Sequence, residues 1–289
     1  MNTKDIINAF DALGYVVDEE LATILFLMLQ LEKPLLLEGN PGVGKTESAY
    51  ILAKHLQTDL IRLQCYEGLD VNAAVYEWNY QKQLLAIKIQ EQSSQSAKEK
   101  EDLIFSEEYL LTRPLLQAIT AKDKPPVLLI DEIDRADEEF EAFLLELLSA
   151  FQITIPEMGT IKATHKPFVI LTSNRTRELS DALKRRCLYH WVNYPSFEKE
   201  KQIVQKHLPN INEKILTKLV QFVHQLREMK LDKSPGIAET LDWANGLLKL
   251  HATELDKESV EKSLGCVLKS NGDIEKIKSE GVGKILENL

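Results

Sequence analysis

The chain carries no excess of basic residues to offer a polyanion. Forty-five acidic side chains stand against 35 basic ones, which leaves a formal charge of -10 and a pI near 5.3. That balance excludes attachment to DNA or an anionic membrane by overall charge, and leaves only a local basic patch for such a role. Cysteines are few and scattered: Cys65, Cys187 and Cys266 form no CxxC pair. A structural zinc site and a disulfide framework are therefore not expected, and reduced thiols are. Long apolar runs are missing too, since the stretch from Leu21 to Leu31 is broken by Thr23 and Gln30 and is too short to cross a bilayer. The opening MNTKDIINAF places acid and amide where a secretory signal needs continuous apolar residues. No internal repeat is visible. The expectation is a soluble, cytoplasmic protein.

What is present points to a packed core. The 289 residues, at about 150 per domain, predict one large domain or two modest ones, and a 44% hydrophobic content supports a substantial interior. Helical and strand-like segments alternate, the pattern of a sheet covered on both faces. Asp18 is placed to cap a helix whose Leu21, Ile24, Leu25 and Met28 share one face. Five short apolar runs, at Leu35–Leu37, Leu60–Leu63, Val127–Ile130, Phe168–Leu171 and Tyr189–Val192, suit buried parallel strands.

Two stretches interrupt this rhythm. Residues 66–110 are far longer than a crossover needs, and they contain a candidate hairpin around Trp78 and Tyr80. Tyr76, Trp78 and Tyr80 fall at alternate positions and read either as an exposed stripe or as aromatics buried within the segment. The polar run Glu91–Asp102 reads as a mobile tip. The second stretch, FQITIPEMGTIKAT at 151–164, alternates around Pro156 and Gly159 and predicts a β-hairpin. Beyond Pro195 the strand signals stop and the pattern is helical, which sets the expected domains at 1–194 and 195–289.

The strongest chemical signal is Gly39-Asn40-Pro41-Gly42-Val43-Gly44-Lys45-Thr46, a full GxxxxGK[ST] phosphate loop between a strand and an amphipathic segment. Glycines let successive N–H groups converge on one anion, and the following helix aims its positive end at the same place. Lys45 adds a point charge between β- and γ-phosphates, and the Thr46 hydroxyl is placed to ligate magnesium. A solvated glycine turn is the plain alternative, and the strand-loop-helix context argues against it.

Val127-Leu128-Leu129-Ile130-Asp131-Glu132-Ile133-Asp134 is the second signal: a buried strand with acids at its carboxyl edge. Asp131 is placed to hold magnesium through water, and Glu132 to orient or deprotonate an attacking water. The alternative is that these acids simply open the helix at Glu138–Ala150 and complement its dipole. Asn174, just past the strand ending Leu171-Thr172, reads either as a turn residue or as an amide for the γ-phosphate and that water. Arg185 and Arg186 read either as solvated, dipole-compensating residues or as an arginine finger for a neighbouring subunit's nucleotide.

Taken in order, GNPGVGKT, LLIDEID, LTSN and DALKRRC resemble an AAA+ ATPase. The pattern is most similar to the MoxR branch and its CoxD-like members, with RLQCYEGLD and RPLLQAI as further support. The resemblance covers about residues 15–195 well and the remainder more loosely. It implies an α/β fold of the P-loop NTPase type, a five-stranded parallel sheet between helices in the order 5-1-4-3-2, followed by an α-helical lid. It also implies ATP and Mg2+ as ligands and a homo-oligomeric ring, usually a hexamer. By motif, Lys45 and Thr46 bind phosphate and magnesium, Asp131 and Glu132 are the Walker B pair, Asn174 is sensor 1, and Arg186, with Arg185 second, is the finger. Gln64 is implied to restrain Glu132 in a switch position. Residues 66–110 match the helix-2 insertion of that clade and 151–164 its pre-sensor-1 hairpin, both facing the pore or a client. The lid departs from the pattern: where relatives often carry a sensor-2 arginine, this chain reads Ser234-Pro235-Gly236-Ile237-Ala238-Glu239.

The resemblance further implies a chaperone-like machine working with a von Willebrand factor A domain partner, and CoxD-like members are linked to molybdenum–copper dehydrogenase maturation. Two other readings remain. A nucleic-acid-directed motor of McrB-like type is opposed by the acidic balance, and a nucleotide-dependent scaffold with little turnover is opposed by Glu132.

Overall fold

The computed structural model describes residues 2–90, 103–252 and 254–287. Its strands, in chain order, are β1 (Leu35–Gly39), β2 (Leu60–Gln64), β3 (Tyr76–Trp78), β4 (Leu110–Thr112), β5 (Val127–Asp131), β6 (Gln152–Ile155), β7 (Gly159–Lys162), β8 (Phe168–Ser173) and β9 (Leu188–Val192). The polar run Glu91–Asp102, read as a mobile tip, lies outside the described residues. The chain divides into two compact units: Thr23–Glu38 with Ala49–His190, and Met1–Ala22 with Gly39–Ser48 and Trp191–Leu289.

The five expected strands form one parallel sheet in the order β2-β5-β8-β1-β9, the order that the resemblance implies. Register is set by the apolar runs: Leu36 faces Leu171, Leu128 faces Val169, and Gln64 faces Asp131. β1 and β5 are buried at every position. A strand covered on both faces is apolar throughout rather than alternating, which is why LLL and VLLI read as continuous runs. Leu36, Leu128, Ile130, Val169 and Leu171 pack with Leu115, Ile119, Phe140, Leu144 and Leu147 in one core. Truncating any of these leucines to alanine removes buried surface and leaves a void, at a cost of about 2–5 kcal/mol.

The helix Glu138–Ala150 begins at an Asp137 cap, whose side chain accepts from the Phe140 N–H at 2.8 Å, and carries Glu138, Glu139 and Glu141 in its first turn. The plain alternative for the DEID acids therefore does not hold. Asp137, not Asp131 or Glu132, opens that helix, and Ile133–Arg135 forms a separate 3-10 turn before it. FQITIPEMGTIKAT forms the expected antiparallel hairpin, β6 to β7, with Ile155 facing Gly159.

One expectation is corrected. The segment around Trp78 and Tyr80 is not a hairpin: β3 pairs antiparallel with the distant β4, Trp78 facing Leu110. Asn79 ends the strand and caps a helix over Tyr80–Gln90, its side chain accepting from the Lys82 N–H at 3.0 Å. An asparagine that satisfies an otherwise unpaired helix N–H outweighs the alternating aromatic pattern. The aromatic stripe is split accordingly. Trp78 is buried edge-on against Tyr76 and Phe105, and Tyr80 is exposed.

In the other unit, the C-terminal part is helical as expected, from Phe197–His207 through Glu213–Glu228, Ile237–Lys249, Lys257–Val267 and Asn271–Glu280 to Val282–Glu287. Phe222 and Trp243, ring centroids 5.3 Å apart, centre a core with Leu219, Val223, Val260 and Leu264. The Trp243 indole N–H donates to Ser263 at 2.7 Å, so the ring is buried without an orphaned donor. The first helix, Thr3–Ala12, is tied to this part by Lys206, whose ammonium donates to the Asp11 carbonyl at 2.8 Å. Among the described residues, no helix is long and apolar enough to cross a membrane.

Candidate functional site

The phosphate loop leaves β1 through Gly39, where the backbone runs against Val192 so closely that a Cβ would sit 2.3 Å from the Val192 carbonyl oxygen. Only glycine fits there. The loop then turns into the helix Lys45–Leu56. The Lys45 ammonium is buried and donates to the loop's own carbonyls, Gly39 at 2.7 Å and Asn40 at 2.8 Å. A buried cation held over a helix N-terminus forms an anion cradle. Tyr15 braces it from outside the motif, its hydroxyl donating to the Gly44 carbonyl at 3.2 Å. Burial, and then the charges of Asp18 and Glu47, push the Tyr15 pKa far above its ordinary value, so it stays a neutral donor. Nothing in the sequence marks Tyr15, because it lies 29 residues before its partner.

The acids at the end of β5 are held as a network. The Asp131 carboxylate is buried; its Oδ1 accepts from the Thr172 hydroxyl at 2.6 Å, and its Oδ2 accepts from Arg62 Nη2 at 2.6 Å and Nε at 3.1 Å. Glu132 has a left-handed backbone, φ 54° and ψ 51°, and its N–H donates back to Thr172 at 2.9 Å. Such a conformation costs a non-glycine residue about 1–3 kcal/mol and here turns the side chain out of the strand's alternation. One Glu132 oxygen accepts from the Asn174 amide at 3.2 Å; the other accepts from the Gln64 amide at 3.1 Å and lies 3.3 Å from Arg135 Nε. Asp134 anchors the strand end that carries Asn174, accepting from the Asn174 N–H at 3.1 Å, the Thr176 N–H at 2.9 Å and the Thr176 hydroxyl at 2.7 Å. The neighbouring Cys65 thiol is pushed up to about 12 by burial and then by Asp131, Asp134 and Glu132, so it adds no charge.

The structure thus brings Asp131, Glu132, Asn174 and Gln64 together. It adds Thr172, Asp134 and Arg62, which sequence reasoning did not single out. Arg62 had a readable signal: in LIRLQ it stands two residues before Gln64, on the same face of β2. Arg186 is tied within its own chain, Nε donating to Ser149 at 2.6 Å and Nη1 to the Ala182 carbonyl at 2.8 Å, whereas Arg185 is exposed.

Within Ser234–Glu239 one position is sterically closed to any side chain. Gly236 lies against Gly42, and a Cβ on it would meet the Gly42 Cα at 2.8 Å. A side chain there would displace the loop backbone. Behind it, Arg227 is locked to the buried Glu200 by bonds of 2.6 and 2.7 Å, and its Nε donates to the Pro235 carbonyl at 2.8 Å.

The donor set fits a nucleotide and magnesium. In one unit the loop amides and Lys45 suit phosphate oxygens and the Thr46 hydroxyl suits a hard cation; in the other unit the buried Asp131 carboxylate suits such a cation as well. Among the described residues there is no group of three or more His, Cys, Asp or Glu side chains able to hold a metal unaided.

Comparisons with known proteins bear on the family and the fold. The chain is 27% identical over 229 residues to an uncharacterized protein of Staphylococcus aureus (strain bovine RF122 / ET3-1), covering 77% of this chain and 78% of that one. A similar uncharacterized protein of Staphylococcus haemolyticus (strain JCSC1435) is 26% identical over 218 residues, covering 73% and 75%. A solved structure of a Thermotoga maritima RuvB proline-to-glycine mutant superimposes with a TM-score of 0.50 at 17% identity, covering 92% of this chain and 70% of that one. At that identity the likeness shows the fold alone. The model of the ATPase family associated with various cellular activities matches residues 35–192, a span that holds the loop, the acids of β5, Asn174 and both arginines. The chain belongs to this AAA family of ATPases.

Proposed function

We propose that this protein is a magnesium-dependent ATPase of the MoxR branch, CoxD-like, that works as a ring, hexameric in its usual form, to remodel or mature a client protein or metalloenzyme with a von Willebrand factor A domain partner. In this reading residues 1–194 are the ATPase domain and 195–289 its lid. The observation that carries hydrolysis is the Glu132 carboxylate, gripped by the Asn174 and Gln64 amides at the end of a buried strand. A carboxylate held between two amides is a positioned base with a restraint on it, which a passive scaffold does not need.

ATP phosphates would be held by the amides of Gly39–Thr46 and by Lys45, with Thr46 and Asp131 as the magnesium-side oxygens. When bound, magnesium supplies positive charge to the phosphate oxygens. Glu132 takes a proton from water as the water oxygen bonds to the γ-phosphorus, and the bond from that phosphorus to the β–γ bridging oxygen breaks, leaving ADP and phosphate. Asn174 orients Glu132 and the water. Arg186, with Arg185 second, is the finger for the neighbouring subunit's nucleotide, which requires its side chain to leave Ser149.

The acidic balance supports a protein client over nucleic acid. The test uses purified protein with ATP and MgCl2. Glu132→Gln should keep nucleotide binding and lose turnover by about 10²–10⁴, whereas Lys45→Ala should weaken binding itself. Unchanged turnover in Glu132→Gln would remove the base role, and stimulation beyond about tenfold by DNA would favour a motor instead.

A further inference from the structure

Arg62 bridges Asp131 and Gln64, the amide that grips Glu132. Its Nε and Nη2 both donate to Asp131 Oδ2, at 3.1 and 2.6 Å, so one oxygen of the magnesium-side carboxylate is occupied by a guanidinium edge. The same Nη2 donates to Gln64 Oε1. An amide whose oxygen is held can present only its NH2 on the other side, and that NH2 is what grips Glu132 Oε2 at 3.1 Å. The chain of contacts therefore runs Asp131, Arg62, Gln64, Glu132, each link a hydrogen bond. Arg62 and Gln64 lie on the same face of β2, and Gln64 faces Asp131 across the sheet, so the backbone holds these three in register, with Glu132 next along the chain. The Arg62 side chain is 43% exposed and Asp131 3%. The guanidinium can swing toward solvent, and the carboxylate cannot.

We propose that Arg62 is a positioning residue that occupies Asp131 until magnesium arrives, and that its displacement frees the Gln64 amide and so releases Glu132 to act as base. This rests on the ATPase reading of the same site. A carboxylate oxygen that accepts two guanidinium N–H bonds is a poorer partner for a hydrated cation, so Asp131 serves Arg62 or magnesium but not both fully. When Asp131 turns to the metal, Arg62 loses its anchor and is repelled by the new charge. Gln64 Oε1 is then no longer fixed, the amide is free to rotate, and one of the two restraints on Glu132 is gone. The base is thus restrained while the nucleotide lacks its metal.

The experiment measures two quantities in four proteins: wild type, Arg62→Met, Gln64→Met and the double variant. The first is the free Mg2+ concentration giving half-maximal binding of a fluorescent ADP analogue, set with EDTA buffers. The second is steady-state ATPase at saturating MgCl2. Arg62→Met should lower the Mg2+ half-point at least about threefold, because Asp131 no longer has to exchange partners. Gln64→Met should leave it unchanged, since the Gln64 amide bonds Arg62 and Glu132. Both single variants should raise basal turnover, and the double variant should raise it no further, because they act along one line. An unchanged Mg2+ half-point in Arg62→Met, or additive effects on turnover, overturns the proposal. Should Arg62→Met not fold, Arg62→Lys answers the same question. It keeps a charge but lacks the planar fork, so it should raise turnover as Gln64→Met does, and wild-type turnover in it refutes the orienting role. The two readings fail separately. Wild-type protein that binds nucleotide in a Mg2+-dependent way but does not turn it over sinks the ATPase reading and with it the release of the base, while a normal ATPase with an Arg62-independent Mg2+ half-point sinks only the role of Arg62.

Discussion

The backbone N–H of Ile237 donates to the carbonyl of Gly42 at 2.8 Å, so the first turn of the helix Ile237–Lys249 is bonded to the phosphate loop itself. Two glycines permit the approach: a Cβ on Gly236 would lie within 2.9 Å of the Gly42 carbonyl oxygen, and one on Gly42 within 3.1 Å of the Gly236 Cα. The peptide after Gly42 is planar and trans, so fixing its carbonyl toward Ile237 points the Val43 N–H the opposite way. Gly236→Ala should open this joint and weaken ADP binding by about three- to tenfold, the worth of roughly one hydrogen bond. Isothermal titration of the variant checks it, and wild-type affinity together with a wild-type melting temperature would show that the joint carries nothing.

Arg186 sits on its own chain, bonded to Ser149 and Ala182. A finger for a neighbour must exchange those bonds for a phosphate oxygen. Arg186→Ala should therefore lower turnover by about 10³ or more while sparing nucleotide binding. Lys45→Ala has a dead pocket but a good finger, so mixing it with Arg186→Ala should restore part of the activity. Mixtures that exchange subunits yet stay as inactive as their components would refute a shared site.

Asp134 is the clearest pH-dependent support of the site. Burial alone would raise its pKa, but the N–H and hydroxyl of Thr176 and the N–H of Asn174 outweigh it and hold the carboxyl below its ordinary value. A depressed carboxyl contributes stability that is complete above its unfolded pKa, near pH 4, and is lost as pH falls through the lower folded value. Asp134→Asn should cost about 1–3 kcal/mol at pH 7, and the gap to wild type should close below about pH 4. Urea melts at pH 7, 5 and 3.5 measure it; a gap that is constant with pH contradicts the assignment.

In the helical C-terminal part, Glu200 is fully buried and accepts from Arg227, from Thr240 at 2.7 Å and from His224 at 2.9 Å. Arg227→Met strands that carboxylate and should destabilise by about 3–5 kcal/mol. Replacing both partners, with Glu200→Leu alongside Arg227→Met, should recover much of the loss, because the desolvation cost disappears with the charge. Denaturant midpoints of the three variants test this, and a double variant worse than Arg227→Met alone would count against it.

The β-hairpin at 151–164 was legible because alternation, a proline and a glycine all lie within 14 residues, whereas the pairing of β3 with β4 was not, because its partners are separated by a helix that Asn79 starts. Local pattern reports on neighbours along the chain, and non-local pairing reports on the fold. The same division runs through the site. The loop Gly39–Thr46, Asp131, Glu132 and Asn174 could be read because phosphate and metal chemistry demand particular residues at particular spacings. Tyr15, Thr172, Asp134 and Arg62 carry no spacing of their own; each acquires its role from a partner 29 to 69 residues away that the sheet or the loop brings within 3.2 Å. That Ser234–Glu239 holds no arginine was visible in the sequence, but the steric closure of Gly236 was not, since only the packed backbone shows Gly42 where a side chain would go. Sequence by itself singled out the candidate groups for chemistry, because chemistry selects residue types. Tertiary structure decided how those groups are restrained, because restraint depends on hydrogen-bond distances between segments the chain does not place side by side.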